Sequence, residues 1–212
     1  MWYITSAVVW LCQNNFLRFF RIFIKIFADF QMAGEENCQG LRGPHIFVAN
    51  HKNYFDPFLV GAGVIRKSNL APIRVMTADE YLRVPILNLF LLSQGCFPAH
   101  YGQGLDLSLA WPREILRHGW CLGIFPEGGM FKRKGLGWPQ KGAAVLALES
   151  KKPILPFAIK GSEMLTLRRI AYRRPKVTIC IGKPFYLHEK TNDSIEGTKI
   201  IMETIKQLYD AV

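Results

Sequence analysis

At 212 residues the chain is long enough for one domain with a full α/β core, and half of it is apolar, which excludes a disordered chain. Its 27 Lys and Arg against 16 Asp and Glu leave a formal charge of +11, which directs attention to anionic partners: a lipid surface, a nucleic acid or an acidic carrier. Cys12, Cys38, Cys96, Cys121 and Cys180 are odd in number and lack a C-x-x-C spacing, so they read as free thiols rather than a disulfide framework or a zinc site.

The first stretch, WYITSAVVWLC over residues 2–12, is apolar but too short to span a bilayer, and Gln13, Asn14 and Asn15 end the run. No basic segment precedes it, so a secretory signal is not expected. Over residues 14–30 the helical period places Asn14, Arg18, Arg21, Lys25 and Asp29 on one narrow stripe. Phe16, Phe19, Phe20, Phe23, Ile24, Ile26, Phe27 and Phe30 fill the rest. So wide an apolar face predicts a helix lying in a membrane interface, with its Arg and Lys reaching lipid phosphates. The competing reading is a helix packed deep against the domain with its charges outward.

From Gly34 onward, short apolar runs alternate with amphipathic stretches. His45–Asn50 reads as a buried strand and Asp56–Arg66 as a helix opened by Asp56 and Pro57. Ile73–Thr77 is a second strand, Pro85–Ser93 a helix and Gly95–Pro98 a further strand. Leu105–His118 resembles an amphipathic helix interrupted near Pro112, and Trp120–Phe125 a strand ending at a Pro-Glu-Gly turn. Gly142–Lys151 follows as a helix, with strands at Ile154–Ile159 and Lys176–Ile181. Asn192, Asp193 or Ser194 caps a last helix whose apolar positions are Ile195, Ile201, Ile205 and Leu208. The alternation predicts a three-layer α/β domain, with a mostly parallel or mixed central sheet flanked by helices.

Two motifs fall directly after predicted strands, where α/β sheets gather their ligand sites. The first, NHKNYFD, sets His51 and Asp56 five positions apart. A carboxylate beside a histidine fixes its tautomer and makes it a general base, and the competing reading is a loop histidine with a solvated aspartate nearby. The second, FPEGG, carries Glu127 and Gly128, and a turn carboxylate capping its own Gly-Gly backbone explains it equally well. There is no G-x-S-x-G nucleophile elbow.

In these residues the chain resembles the 1-acylglycerol-3-phosphate acyltransferase family of glycerolipid acyltransferases. Asn50, His51 and Asp56 match its Asn-His-x4-Asp block, and Phe125, Pro126, Glu127 and Gly128 its Phe-Pro-Glu-Gly block. Pro153, Ile154, Leu155 and Pro156 match its proline-bounded strand. Gly34-Glu35-Glu36-Asn37 and Gly182-Lys183-Pro184 agree at the flanks. The likeness covers about residues 34–190. Two places depart from the pattern. Gly95-Cys96-Phe97-Pro98-Ala99-His100-Tyr101 lacks the usual arginine, and Gly129-Met130-Phe131 replaces Thr-Arg-Ser. Lys132, Arg133 and Lys134 follow and could substitute as phosphate-binding cations.

The resemblance implies a membrane-bound O-acyltransferase, with residues 1–33 as a membrane-associating helical segment and 34–212 as the acyltransferase domain. His51 would act as base and Asp56 as its orienting partner, with Asn50, Glu127, Gly128, Lys132 and Arg133 at the substrate. The donor would be an acyl thioester of coenzyme A or acyl carrier protein and the acceptor a lysolipid, with no metal and no other cofactor. Monotopic or peripheral attachment to an anionic, cytoplasmic-facing lipid surface would follow. A catalytically decayed lipid-binding protein of the same fold is the alternative. A nucleic-acid module is disfavoured, because RFFRIFIK is too apolar to track phosphates and no nucleic-acid motif is present. The cluster Arg168, Arg169, Arg173, Arg174 and Lys176 reads as a solvated loop, or as a second contact for headgroups or an acidic carrier.

Overall fold

A computed structural model describes residues 6–64, 72–100, 102, 104–166, 168–170 and 174–212. Seven strands form one sheet: β1 (Asp29–Ala33), β2 (Ile46–Ala49), β3 (Ile73–Thr77), β4 (Cys96–Pro98), β5 (Cys121–Ile124), β6 (Ile154–Lys160) and β7 (Lys176–Ile181), in the order β1-β7-β6-β2-β5-β3-β4. All neighbours pair parallel except β6 and β7, which run antiparallel. The expected three-layer architecture is therefore present.

The central strands are buried on both faces, and their two-residue period sorts side chains into two cores. Phe47, Ala49, Leu155, Phe157 and Ile159 point toward one face, where α1 (Ser6–Phe27) and α2 (Asp56–Val64) cover them. Ile46, Val48, Leu122, Ile124 and Ile154 point to the other, under α5 (Leu105–Arg117), α6 (Gly142–Ser150) and α7 (Ser194–Asp210). Two short helices, α3 (Asp79–Leu82) and α4 (Pro85–Ser93), bridge β3 to β4. The carboxylate of Asp193 caps α7 by accepting from the N–H groups of Ile195 and Glu196, each at 2.7 Å.

Several details differ from the sequence reading. The helix does not break where the apolar run stops at Gln13, because α1 is continuous from Ser6 to Phe27. Gln13 is buried instead: it donates to the carbonyls of Ile73 and Gln94 and accepts from the N–H of Ile73, fastening α1 to β3 and the end of α4. Arg21, assigned to the outward cationic stripe, turns inward to the Glu35 carboxylate at 2.6 Å and the Ala62 carbonyl at 3.0 Å. Asp29 and Phe30 leave the helix and enter β1, so part of the segment read as a separate unit belongs to the sheet. Helix α5 runs through Pro112 without interruption. The helix at Asp56 is described as far as Val64, and the remaining expected positions, 65 and 66, lie outside the described residues.

Two glycines permit this packing. At Gly34, with φ of 78°, a Cβ would stand 2.0 Å from the Ile181 carbonyl oxygen, so only glycine lets β1 turn against β7. At Gly61 a Cβ would stand 2.8 Å from Leu17, so its absence brings α1 close to α2.

Candidate active site

β2 and β5 are parallel neighbours, so the segments after their carboxyl ends emerge side by side. One carries His51 and the other Glu127. Asp56, the first residue of α2, is fully buried, and its Oδ2 accepts three hydrogens. They come from His51 Nδ1 at 3.0 Å and from the backbone N–H groups of Lys52 and Asn53 at 2.5 and 2.7 Å. Acceptance by a carboxylate places the ring proton on Nδ1, leaving Nε2 with its lone pair. The Phe125 ring stacks on the imidazole at 4.2 Å between centroids. The histidine is thus fixed in tautomer by one neighbour and in plane by another.

Glu127 joins two loops. Its Oε2 accepts from the His51 N–H at 3.2 Å and its Oε1 from the Gly137 N–H at 2.9 Å. Burial pushes its carboxyl above the ordinary glutamate value, opposed by those two N–H groups and by the charge of Lys52. Gly128 lies in the turn itself, with φ of 69° and its N–H on the Phe125 carbonyl at 2.9 Å. The loop beyond is held by Phe131, whose N–H donates to the His51 carbonyl at 2.8 Å. Its tip carries Lys132, Arg133 and Lys134, all exposed.

Asn50 departs from the expected substrate contact. It is fully buried, and its side-chain amide pairs with the Ile159 carbonyl at 2.8 Å and the Ile159 N–H at 2.7 Å. Both amide groups are occupied in bracing β2 against β6, so its part is to hold the strand end that carries His51. In the stretch lacking the usual arginine, Ala99 closes on the Thr77 carbonyl, and Tyr101 lies outside the described residues. Sequence reasoning missed Phe125 and Lys52 as parts of the site. The signal for both was adjacency, since each sits inside or beside a motif already singled out.

Behind Phe125, Phe47, Ala49, Pro57, Val60, Val75 and Gly123 line a narrow apolar cavity between the sheet and α2. All five cysteines are free thiols, and among the described residues no three His, Cys, Asp or Glu gather as metal ligands.

The chain can be set beside known proteins. It is 25% identical over 193 residues to the 1-acyl-sn-glycerol-3-phosphate acyltransferase of Saccharomyces cerevisiae, covering 88% of this chain and 60% of the yeast protein. It is 22% identical over 194 residues to the enzyme of the same name from Bacillus subtilis, covering 89% of this chain and 92% of that one. The crystal structure of the 1-acyl-sn-glycerophosphate (LPA) acyltransferase, PlsC, from Thermotoga maritima shares the fold with a TM-score of 0.72, 22% identity and coverage of 94% and 78%. The Acyltransferase family model matches residues 29–160, more than half the chain and every strand from β1 to β6, so this protein belongs to the Acyltransferase family and is an acyltransferase.

Proposed function

We propose that the protein transfers a fatty acyl group from an acyl thioester to the hydroxyl of a lysophospholipid, lysophosphatidic acid or a related lipid, with His51 as general base. The observation that carries this reading is the His51–Asp56 pair. Nε2 takes the proton of the acceptor hydroxyl as its oxygen attacks the thioester carbonyl. A C–O bond forms, the C–S bond breaks, and the proton passes from the imidazole to the departing thiolate. Asp56 faces the ring as it gains charge, while Phe125 keeps it in plane. The donor is the thioester of coenzyme A or of acyl carrier protein, and no metal or further cofactor takes part. Lys132 and Arg133, with Lys134, supply cations for a phosphate where the usual arginines are missing.

The same reading places the protein on a membrane surface. Among the described residues no helix is long and apolar enough to cross a bilayer. Yet Val8, Leu11, Phe19, Ile22 and Ile26 recur at helical spacing along α1 and are about half exposed or more. On α4, Ile86 and Leu89 are 86% and 71% exposed, and Phe16 and Phe90 pack edge to face where the two helices meet. Half-burying the five α1 side chains contributes about 5 kcal/mol, enough for reversible attachment and far short of a spanning helix. Arg18 and Lys25 border the stripe, each adding about 1 kcal/mol beside anionic lipid. Arg174 extends that cationic edge by donating to the carbonyls of Lys25 and Ala28 at the end of α1; Arg173, its sequence neighbour, lies outside the described residues.

The test is thiol release from acyl-CoA and from acylated carrier protein by the detergent-purified chain, offered lysophosphatidic acid, other lysophospholipids and monoacylglycerol. Release that requires a phosphate-bearing acceptor supports the reading and names the substrate. A folded protein silent on every acceptor would instead be a lipid-binding relative that has lost catalysis.

A further inference from the structure

Lys52, next to the catalytic histidine, is 4% exposed, yet no carboxylate bonds its ammonium among the described residues. Nζ instead donates to the backbone carbonyls of Arg133, at 2.6 Å, and Gly135. It also lies 4.8 Å from the centroid of the Phe131 ring. Burying an ammonium without a directly bonded carboxylate is unfavourable, and a methionine of similar length would fill the space without that cost. The arrangement makes sense if it places something.

What it places is the loop of residues 131–137. The two ends of that loop meet, since a Cβ on Gly137 would stand 3.0 Å from Phe131. Phe131 is tied to the His51 carbonyl and Gly137 to Glu127. Between those ties the Lys52 ammonium is the inner anchor, and the side chains of Lys132, Arg133 and Lys134 are left facing solvent. The backbone N–H of the same lysine donates to Asp56 Oδ2 at 2.5 Å. One residue therefore joins the dyad to the cationic loop by its main chain at one end and its side chain at the other.

We propose that Lys52 is a positioning residue for acceptor recognition: it fixes the loop backbone so that Lys132–Lys134 stand at a set place relative to His51 and receive the acceptor's phosphate. This rests on the reading of the cationic loop given above. Charge alone would recognise a phosphate weakly; cations on an anchored backbone recognise it without first losing loop freedom.

The experiment compares four forms of the full chain: wild type, Lys52→Met, the triple variant Lys132→Ala/Arg133→Ala/Lys134→Ala, and their combination. Thiol release is titrated with lysophosphatidic acid, and wild type and Lys52→Met are also exposed to trypsin. Lys52→Met is expected to raise the acceptor KM about tenfold, while kcat and the thioester KM stay within about threefold. The triple variant should do the same, and the combination should be no worse than the triple. Cleavage after Lys132–Lys134 should quicken about tenfold in Lys52→Met, with the melting temperature of the domain retained. Equal Lys52→Met effects in the wild-type and triple backgrounds would overturn the proposal and leave the cationic-loop reading standing. An unchanged KM in the triple variant would remove that reading and with it the link drawn here. Unaltered tryptic cleavage would overturn the anchoring itself. If Lys52→Met does not fold, Lys52→Arg keeps the charge, displaces the donors and enters the same comparison.

Discussion

Glu127 shows how a single carboxylate can brace two loops of a candidate site. Its two oxygens receive N–H groups from His51 and Gly137, so it holds the His51 backbone and the cationic loop at one spacing. In Glu127→Gln one of those N–H groups would face an amide NH2, and losing that hydrogen bond should lower acceptor kcat/KM about tenfold. Stability should move the other way with pH. The folded carboxyl is raised above the ordinary glutamate value, so the wild-type side chain stabilises most when protonated and loses that contribution as pH rises through its folded value. Glutamine does not titrate, so the Tm of Glu127→Gln relative to wild type should increase between pH 4 and pH 7. Undiminished transfer by Glu127→Gln would show that the latch is dispensable. Roles of this kind were only partly legible in the sequence. The pairing of His51 with Asp56 was legible, because only four residues separate them. Asn50 and Lys52 find their partners 109 and 81 residues away, and no local pattern encodes such pairings.

Among the elements, α1 was half readable. A helical period reveals an apolar face, and the structure shows that this face has two sides. Leu17, Phe20 and Ile24 are buried against the domain, while Phe19, Ile22 and Ile26 are exposed. Arg21 looked like part of a cationic stripe because its periodicity fits; its Glu35 partner became visible only once the chain had folded. β1 escaped notice because the helical pattern runs on into Asp29 and Phe30. Deleting residues 1–30 would strip buried side chains and part of the sheet, so it cannot isolate membrane attachment. Replacing Phe19, Ile22 and Ile26 together by Glu should instead move the protein out of the membrane fraction while leaving its Tm within a few degrees. Phe20→Ala, on the inner side, should cost about 3–5 kcal/mol and report on packing alone. Retention of the triple Glu variant on membranes would remove α1 as the docking element.

Taken whole, the molecule puts its site and its apolar surface on related ground. α1 packs on α2, and α2 begins at Asp56, so the helix proposed to meet lipid leans on the helix that carries Asp56. The net charge of +11 acts over the same surface at longer range. Attachment to vesicles containing anionic lipid should therefore weaken several-fold between low and high salt, and vesicles of zwitterionic lipid should show a smaller, nearly salt-independent binding. Equal binding to both vesicle types at low salt would contradict a charge-assisted contact. The sheet was well signalled by alternating strands and helices, and its strand order was not, since order depends on which apolar faces find each other in space.

The proposed chemistry stands on the His51–Asp56 pair, and the decisive measurement is thiol release under saturating acyl-CoA and lysolipid by wild type, His51→Ala and Asp56→Asn. General-base catalysis by His51 predicts a fall in kcat of about 10²–10⁴-fold for His51→Ala, from loss of the base, and only weak residual turnover for Asp56→Asn, from loss of the tautomer it fixes. Donor binding and the fold should persist in His51→Ala. Near-normal turnover by His51→Ala would contradict the mechanism.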